Sequence, residues 1–463
     1  MHTKKRSQIT FISLALVVLL GSGLGAVAQI RPDELVTKQP APVATPPIQP
    51  APIASPNSTS GETPDDDSSL VYGLQGVLIE TLDGKAVASQ AMDQTFNPAS
   101  AIKLATALVA LRTFGPRYRF STGFWTDGTV DKANGTIHGN LYVSGRDPSF
   151  HYEHAVMTAR QLNSLGIRTV TGDLIVAPGF TMNFNWSARR SGEGLYDTLD
   201  ATLRTGEAAN AWTYARTALG DHSALVTVPS VAVMGEVYVN PVAPGAKLLF
   251  THQSSKLTDV LKVLLCYSNN FMAERLGDSL GGVGSVQSTL TKTLGIPAWE
   301  LRFASLSGLG VNRVTPRAMM KVFRALREEL RKHKLSTTDI MPVAGIDPGT
   351  LQERFTDLAW RGSVIAKTGT LVRTDGGASS LVGQMKTARG EILLFVILNQ
   401  RGSVLRFREN QDYLVKQVLG TRGGPKAFDY RPLVLAMRLA DTRSTVPEAS
   451  EEYEPTTGSG NGP

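Results

Sequence analysis

Apolar and polar positions follow three successive patterns along this chain. The first is an almost unbroken apolar or small run from Ile9 to Leu24, preceded by Lys4-Lys5-Arg6 and followed by Ala26-Val27-Ala28. A basic start, an apolar stretch and a small-x-small tripeptide make an export signal over residues 1–28, with cleavage expected before Gln29. The stretch from Ile9 to Ala28 is also long enough to cross a bilayer core of about 30 Å, so an N-terminal membrane anchor is the alternative. Both readings place the bulk of the protein outside the cytoplasm, in the periplasm or cell envelope. The second pattern has no periodicity. Nine prolines between Pro32 and Pro64 are interleaved with Ala, Thr and Ser, and Asp65-Asp66-Asp67 closes the run. Residues 29–68 therefore read as a linker, because such a composition buries too little apolar surface to offset its ordering entropy.

The third pattern alternates strand-like and helix-like periods from about Val71 to about Leu439. Gly76 to Thr81 and Ala86 to Ser89 flank Asp83-Gly84 and predict a hairpin. Pro98 precedes Ser100, and the Ala- and Leu-rich stretch Ala101 to Leu111 predicts a helix beginning at the serine. Short β-like runs fill Thr122 to Phe180, with turns at Asp127-Gly128, Asn134-Gly135 and Gly172-Asp173 and a helix over Ala155 to Leu165. Leu257 to Leu280 predicts two helices broken at Ser268-Asn269-Asn270. Ser363 to Lys367, Ser379 to Gln384 and Ile392 to Leu398 read as strands at hairpin spacing, and Glu409 to Leu419 as a helix. The acidic, then Gly- and Ser-rich end predicts a disordered tail over 441–463.

Composition narrows the function classes. The chain has 463 residues, 42% of them hydrophobic, which is ample for large cores. Its one cysteine, Cys266, allows neither an intramolecular disulfide nor a Cys-based structural metal site, and its apolar setting predicts a buried helix residue. The formal charge of +7 falls to +4 without the leader, with 44 Lys and Arg against 40 Asp and Glu. So diffuse an excess predicts no nucleic-acid partner. The histidines form no H-E-x-x-H or H-x-H pair, so no metal and no cofactor is expected.

Three short motifs carry the candidate chemistry. Ser100-Ala101-Ile102-Lys103 is the chain's one S-x-x-K. At i and i+3 the two side chains share a helix face, so Lys103 can reach the Ser100 hydroxyl. A free serine needs such a base, and a desolvated lysine near another cation can serve as one. The helix start adds free N–H groups where an oxyanion would form. Ser268-Asn269-Asn270 sits at the helix break, and Lys367-Thr368-Gly369 at the end of a strand. Strand alternation puts Lys367 and Gly369 on one face and leaves the backbone able to pair with an extended peptide. Alone, each is as well explained by a cap, a turn or a strand end.

Together and in this order, S-x-x-K, S-x-N and K-T-G are the signature of penicillin-binding proteins and serine β-lactamases. Phe96 to Ser100, Lys103 to Thr106, Gly139 to Val143, Asp147-Pro148, Gly172 to Ile175, Ala273-Glu274, Val343 to Asp347 and Ala366 to Leu371 resemble one branch more closely. That branch is the class C low-molecular-mass penicillin-binding proteins, D-alanyl-D-alanine carboxypeptidase/endopeptidases of the DacB type. The resemblance implies an α/β (α+β) transpeptidase-like domain, with an antiparallel sheet flanked by helices and a β-rich module inserted in it. It implies a catalytic domain over 69–118 and 248–440, with the insert over 119–247, shorter than usual for the family. A second departure is Ser305-Leu306, where the family has an Asp-Gly or Asn-Gly pair before Ser-Gly-Leu.

By the same resemblance Ser100 attacks the carbonyl between two D-alanines of a peptidoglycan stem peptide, and Lys103 takes its proton. Ser268 and Lys367 form the relay to the leaving amine, and Asn270 binds the substrate backbone. The N–H groups of Ser100 and Thr370 form the oxyanion hole, and Thr368 binds the terminal carboxylate. Gly369 completes the substrate-binding strand, and β-lactam antibiotics act as covalent inhibitors. Asp147 carries two readings: a turn aspartate before proline, or, from the resemblance, the ligand of a diaminopimelate ammonium. A serine β-lactamase and a catalytically silent wall-binding scaffold of the same fold are the alternatives, although the chain has no E-x-x-L-N segment to supply a deacylating glutamate. Gly277-Asp278-Ser279-Leu280-Gly281 matches G-x-S-x-G but follows a helix, and Gly362 to Thr368 only half-resembles a phosphate loop.

Overall fold

The computed structural model describes residues 73–220, 227–432 and 434–447. The leader and linker expected over 1–68 lie outside them, as does the chain from Glu448 onward. No helix among the described residues is long and apolar enough to cross a membrane.

Five strands form an antiparallel sheet around Ile392–Gln400. On one side this strand pairs with Leu74–Thr81, which carries Ala86–Gln90. On the other it pairs with Ala378–Lys386, which carries Val364–Leu371. The central strand reads as an unbroken apolar run because both of its faces are covered. Leu394, Val396 and Leu398 enter the core beneath a layer of helices that includes Lys103–Phe114, Leu257–Tyr267, Asn270–Ser279 and Pro316–Lys332. Leu393, Phe395 and Ile397 enter a second core with Val415 and Leu419 of the helix Val404–Gly420. Full burial of each such side chain contributes about 1.5–3 kcal/mol. Val364–Leu371 is the edge strand. A bridge from Val343 to Ile365 covers its start, and among the described residues no strand pairs outside Thr368–Leu371.

The segment expected as an insert shares a core of its own with the strand that follows it, built from Phe124, Val143, Leu162, Val176, Leu195 and, past the expected bound at 247, Phe250. Expected to be β-rich, it also carries the helices Tyr152–Ser164, Ala188–Leu199 and Gly206–Ala218. Its six-stranded sheet includes Lys247–Gln253, which pairs with Ser121–Thr126 on one side and Arg443–Thr445 on the other. The segment expected as a disordered tail from 441 therefore begins with a strand. Helix Leu435–Ala440 precedes that strand and packs on Leu257–Tyr267. His154 Nε2 is 2.8 Å from Leu439 O, so this C-terminal segment straps the insert to the helical layer.

Candidate active site

Ser100 lies in a 3₁₀ turn, Ala99–Ile102, that runs into the α-helix Lys103–Phe114. The helical run starts at Ala99, one residue before the expected Ser100, with a tighter first turn. In 3₁₀ geometry residues i and i+3 eclipse, which sets Lys103 over Ser100. The chain enters this turn through Ala99, held at a φ of 46°. Asn97 braces the approach: its Oδ1 accepts from Ala99 N at 3.0 Å, and its Nδ2 donates to Gly310 O at 2.9 Å and Asp375 Oδ2 at 2.6 Å.

Lys103 is fully buried, and its Nζ lies 2.9 Å from Ser100 Oγ. It also donates to Asn270 Oδ1 at 2.7 Å and Ser307 O at 2.5 Å. The Asn270 and Ser307 oxygens can only accept. A neutral amine has two N–H donors and one lone pair, so with both donors engaged the lone pair is left for the Ser100 hydroxyl. Burial pushes the Lys103 pKa well below the usual lysine range, the charge of Lys367 pushes it further, and Glu274 opposes both. This set can accept a proton from a serine.

Ser268 caps the helix Leu257–Tyr267 in the left-handed conformation, φ 56° and ψ 38°. That conformation costs a non-glycine residue about 1–2 kcal/mol. Asn269 caps the next helix by accepting from Met272 N at 2.9 Å, which leaves Asn270 exposed at the helix start. Lys367 Nζ, also fully buried, is 2.8 Å from Ser268 Oγ and donates to Thr368 O at 2.7 Å. Burial lowers its pKa to about 7. Gly369 is needed because the edge strand touches the turn that carries Ser100. A Cβ there would sit 2.5 Å from Pro98 O and 2.2 Å from Ser380 Oγ. Thr368 is nearly buried and Thr370 half-buried beside it.

Two partners of this cluster carried no sequence-level role. Ser307 supplies a backbone carbonyl, which leaves no trace in residue identity. Glu274, one turn beyond Asn270, accepts from Ser307 N at 2.8 Å and so holds that carbonyl in place. The Ser305-Leu306 departure is accommodated locally. Ser305 Oγ accepts from Gly308 N and donates to Leu309 O, at 3.0 and 2.9 Å, while Leu306 is buried against Gly277.

Asp147 does not join the cluster. It is 3% exposed, and its Oδ1 accepts from Ser149 N at 2.8 Å and Ser149 Oγ at 2.6 Å, the geometry of the turn aspartate. Cys266 is a buried helix residue whose thiol is pushed up to about 12 by burial. Ser279 of the G-x-S-x-G string ends a helix, and Lys367 of the half-resembling phosphate loop is in a strand. Among the described residues His151, Glu153 and His154 group closely enough to suggest a metal. Both nitrogens of His154 are already engaged, Nδ1 accepting from His151 N and Nε2 facing Leu439 O.

The D-Ala-D-Ala carboxypeptidase 3 (S13) family model matches residues 65–230 and 207–417. A carboxypeptidase of Mycobacterium tuberculosis is 26% identical over 367 residues, 70% of this chain and 76% of that protein. A D-alanyl-D-alanine carboxypeptidase of an Actinomadura species is 25% identical over 443 residues, 72% of this chain and 79% of that protein. The fold is shared with a predatory endopeptidase of Bdellovibrio bacteriovorus, at a TM-score of 0.66 and 23% identity over 78% of this chain and 96% of that one. That endopeptidase is also known in a form acylated by penicillin G. Penicillin-binding protein 4 of Haemophilus influenzae shares the fold too, with a TM-score of 0.55 and 21% identity over 75% of this chain and 98% of that one. The chain belongs to the D-Ala-D-Ala carboxypeptidase 3 (S13) family and is a serine-type D-Ala-D-Ala carboxypeptidase.

Proposed function

We propose that Ser100 is the nucleophile and Lys103 its general base. The observation that carries this is the hydrogen-bond arithmetic at Lys103 Nζ, which leaves one lone pair and places it against Ser100 Oγ at 2.9 Å. The stem peptide pairs with the open edge Thr368–Leu371, and Asn270 holds its backbone. Ser100 attacks the carbonyl between the last two D-alanines, and the N–H groups of Ser100 and Thr370 stabilise the oxyanion. Ser268 and Lys367 pass a proton to the leaving amine. D-Alanine departs, or the cross-linking strand does in endopeptidase action, and water cleaves the acyl-enzyme. β-Lactams acylate the same hydroxyl. The enzyme works on the peptidoglycan of the cell envelope, exported by its leader or held there by it, with the module over 119–247 flanking the catalytic domain.

The test is purified protein with labelled penicillin and with diacetyl-L-lysyl-D-alanyl-D-alanine. The label is expected on Ser100 alone, together with release of D-alanine. Label persisting in Ser100→Ala refutes the nucleophile. Rapid penicillin turnover without D-alanine release identifies a β-lactamase instead, and neither activity identifies a scaffold.

A further inference from the structure

We infer that Arg408 binds the terminal carboxylate of the substrate and so selects peptides ending in free D-alanine. Arg408 lies on the helix Val404–Gly420, on the side of the sheet away from Lys103, and it is exposed. Its Nη2 donates to Thr370 Oγ1 at 2.8 Å. Thr368 and Thr370 are two apart on the strand and share a face, opposite Lys367 and Gly369. The guanidinium therefore reaches the edge strand at Thr370, one residue beyond the Gly369 that touches the Ser100 turn.

Its charge meets no direct ion pair among the described residues. The nearest acid along the helix, Asp412, is taken by Arg354, with Arg354 Nη2 and Nε at 2.5 and 2.9 Å from its Oδ1. Among the described residues no carboxylate lies within salt-bridge distance of Arg408. Partial burial and the positive charge of Arg354 press its pKa down, and the negative charge of Asp412 opposes them. A guanidinium offers several N–H donors in one plane, and only one bond to a hydroxyl is used. The rest of the fork matches a carboxylate. A peptide paired with an edge strand can turn its last carboxylate round that edge toward Thr370 and Arg408. An internal peptide bond carries no such charge, so this residue weights the enzyme toward carboxypeptidase action.

The inference rests on the acyl transfer at Ser100 proposed above, and the experiment separates the two. Diacetyl-L-lysyl-D-alanyl-D-alanine and its C-terminal carboxamide are compared on wild type, Arg408→Ala and Arg408→Lys. Wild type is expected to prefer the carboxylate. Arg408→Ala should lower kcat/KM for the carboxylate peptide by about 10–100-fold while leaving the carboxamide nearly unchanged. Arg408→Lys, which keeps charge but not the fork, should fall between. The carboxylate-to-carboxamide ratio is taken within each variant, so partial misfolding does not disturb it. An active wild type whose ratio survives Arg408→Ala overturns the inference alone. A wild type inactive on both peptides overturns the proposed function, and the inference with it.

Discussion

The active site and the seam of the insert bury the same kinds of group and treat them oppositely. Lys103 and Lys367 are fully buried, and each amine has protein partners on several sides. In the seam, Asp147, His252 and Thr122 are buried as deeply, yet Asp147 Oδ2, Thr122 Oγ1 and both His252 nitrogens lack a protein hydrogen-bond partner. Burial shifts pKa values in both regions, lowering the lysines and His252 and raising Asp147. In the site the neutral form turns a lone pair toward a serine hydroxyl. In the seam it turns toward aromatic rings, with Phe150 at 5.7 Å and His154 at 5.6 Å from the His252 ring. A shifted pKa marks burial; a reacting group within reach makes it chemistry.

The largest effects that sharpen this contrast come from the proposed nucleophile and its proposed base. Ser100→Ala and Lys103→Ala should each reduce D-alanine release by about 10⁴-fold, and the double variant should be little worse, because the pair acts as a unit. Steady-state rates on the diacetylated tripeptide check this. Multiplying losses in the double variant would show independent roles. In wild type, acylation should fall as pH drops through the lowered pKa of Lys103, since the ammonium form has no lone pair for the Ser100 proton. Penicillin acylation rates across pH locate that acid limb, expected well below the usual lysine range.

Much of this site was legible in the residues. The three motifs named both lysines and both serines, and local rules placed them: proline before a helix start, a Ser-Asn-Asn break, an apolar run ending in Lys-Thr-Gly. What the sequence hid is what depends on backbone or distant partners. The Ser307 carbonyl has no side-chain signature, and Glu274 matters only through Ser307. The helix expected from Glu409 begins five residues earlier, at Val404, capped by Ser403, because its first residues are rich in arginine and show little apolar periodicity. Arg408 lies in that hidden stretch. Helix Ala188–Leu199 carries two glycines, which depress helix propensity, and packing against Val176 and Val237 overrides them at Gly192. The strand Arg443–Thr445 is three exposed residues whose pairing with Lys247–Gln253 is fixed by tertiary context alone.

Lys367→Met offers a smaller test, in which activity and stability move in opposite directions. Loss of the relay amine should cost activity about 100-fold or more. Stability should rise. The folded pKa of about 7 lies below the unfolded lysine value of about 10.4, so between them the unfolded chain binds more protons and wild-type stability increases with pH. The advantage of methionine in thermal midpoint should thus be greatest at pH 7 and below, and shrink toward pH 10. A difference flat across that range would show that Lys367 is not depressed.

Smaller still is His252→Phe, which fills the aromatic seam without buried ring nitrogens. The folded pKa of His252 lies well below its usual value, so as pH falls below about 6.5 the unfolded chain takes up a proton that the folded chain refuses. Wild type should lose stability there relative to the variant. A gain of about 2 kcal/mol near pH 5, narrowing toward pH 8, is expected in denaturant melts. A gain that does not narrow would assign the effect to packing instead.

The smallest effect belongs to Asp147→Asn, and it separates the turn aspartate from a ligand of the diaminopimelate ammonium. Asparagine keeps an oxygen in the place of Oδ1, so both bonds from Ser149 persist and the turn is retained. If the residue bound the substrate amine, catalytic efficiency on diaminopimelyl-D-alanyl-D-alanine would fall about 10–100-fold with penicillin acylation unchanged. The enclosure of Asp147 predicts instead that both activities stay within about threefold of wild type, since neither substrate reaches the carboxylate. The stability signature is independent of substrate. Burial raises the folded pKa of Asp147, with the nearby His154 and the hydrogen bonds from Ser149 only partly opposing, so its favourable contribution is present below the unfolded value of about 3.9 and is lost as pH rises through the folded one. The variant should therefore gain on wild type between pH 4 and pH 7 in thermal midpoint. A selective loss on the diaminopimelyl peptide, with no pH-dependent gain, would return Asp147 to the cleft.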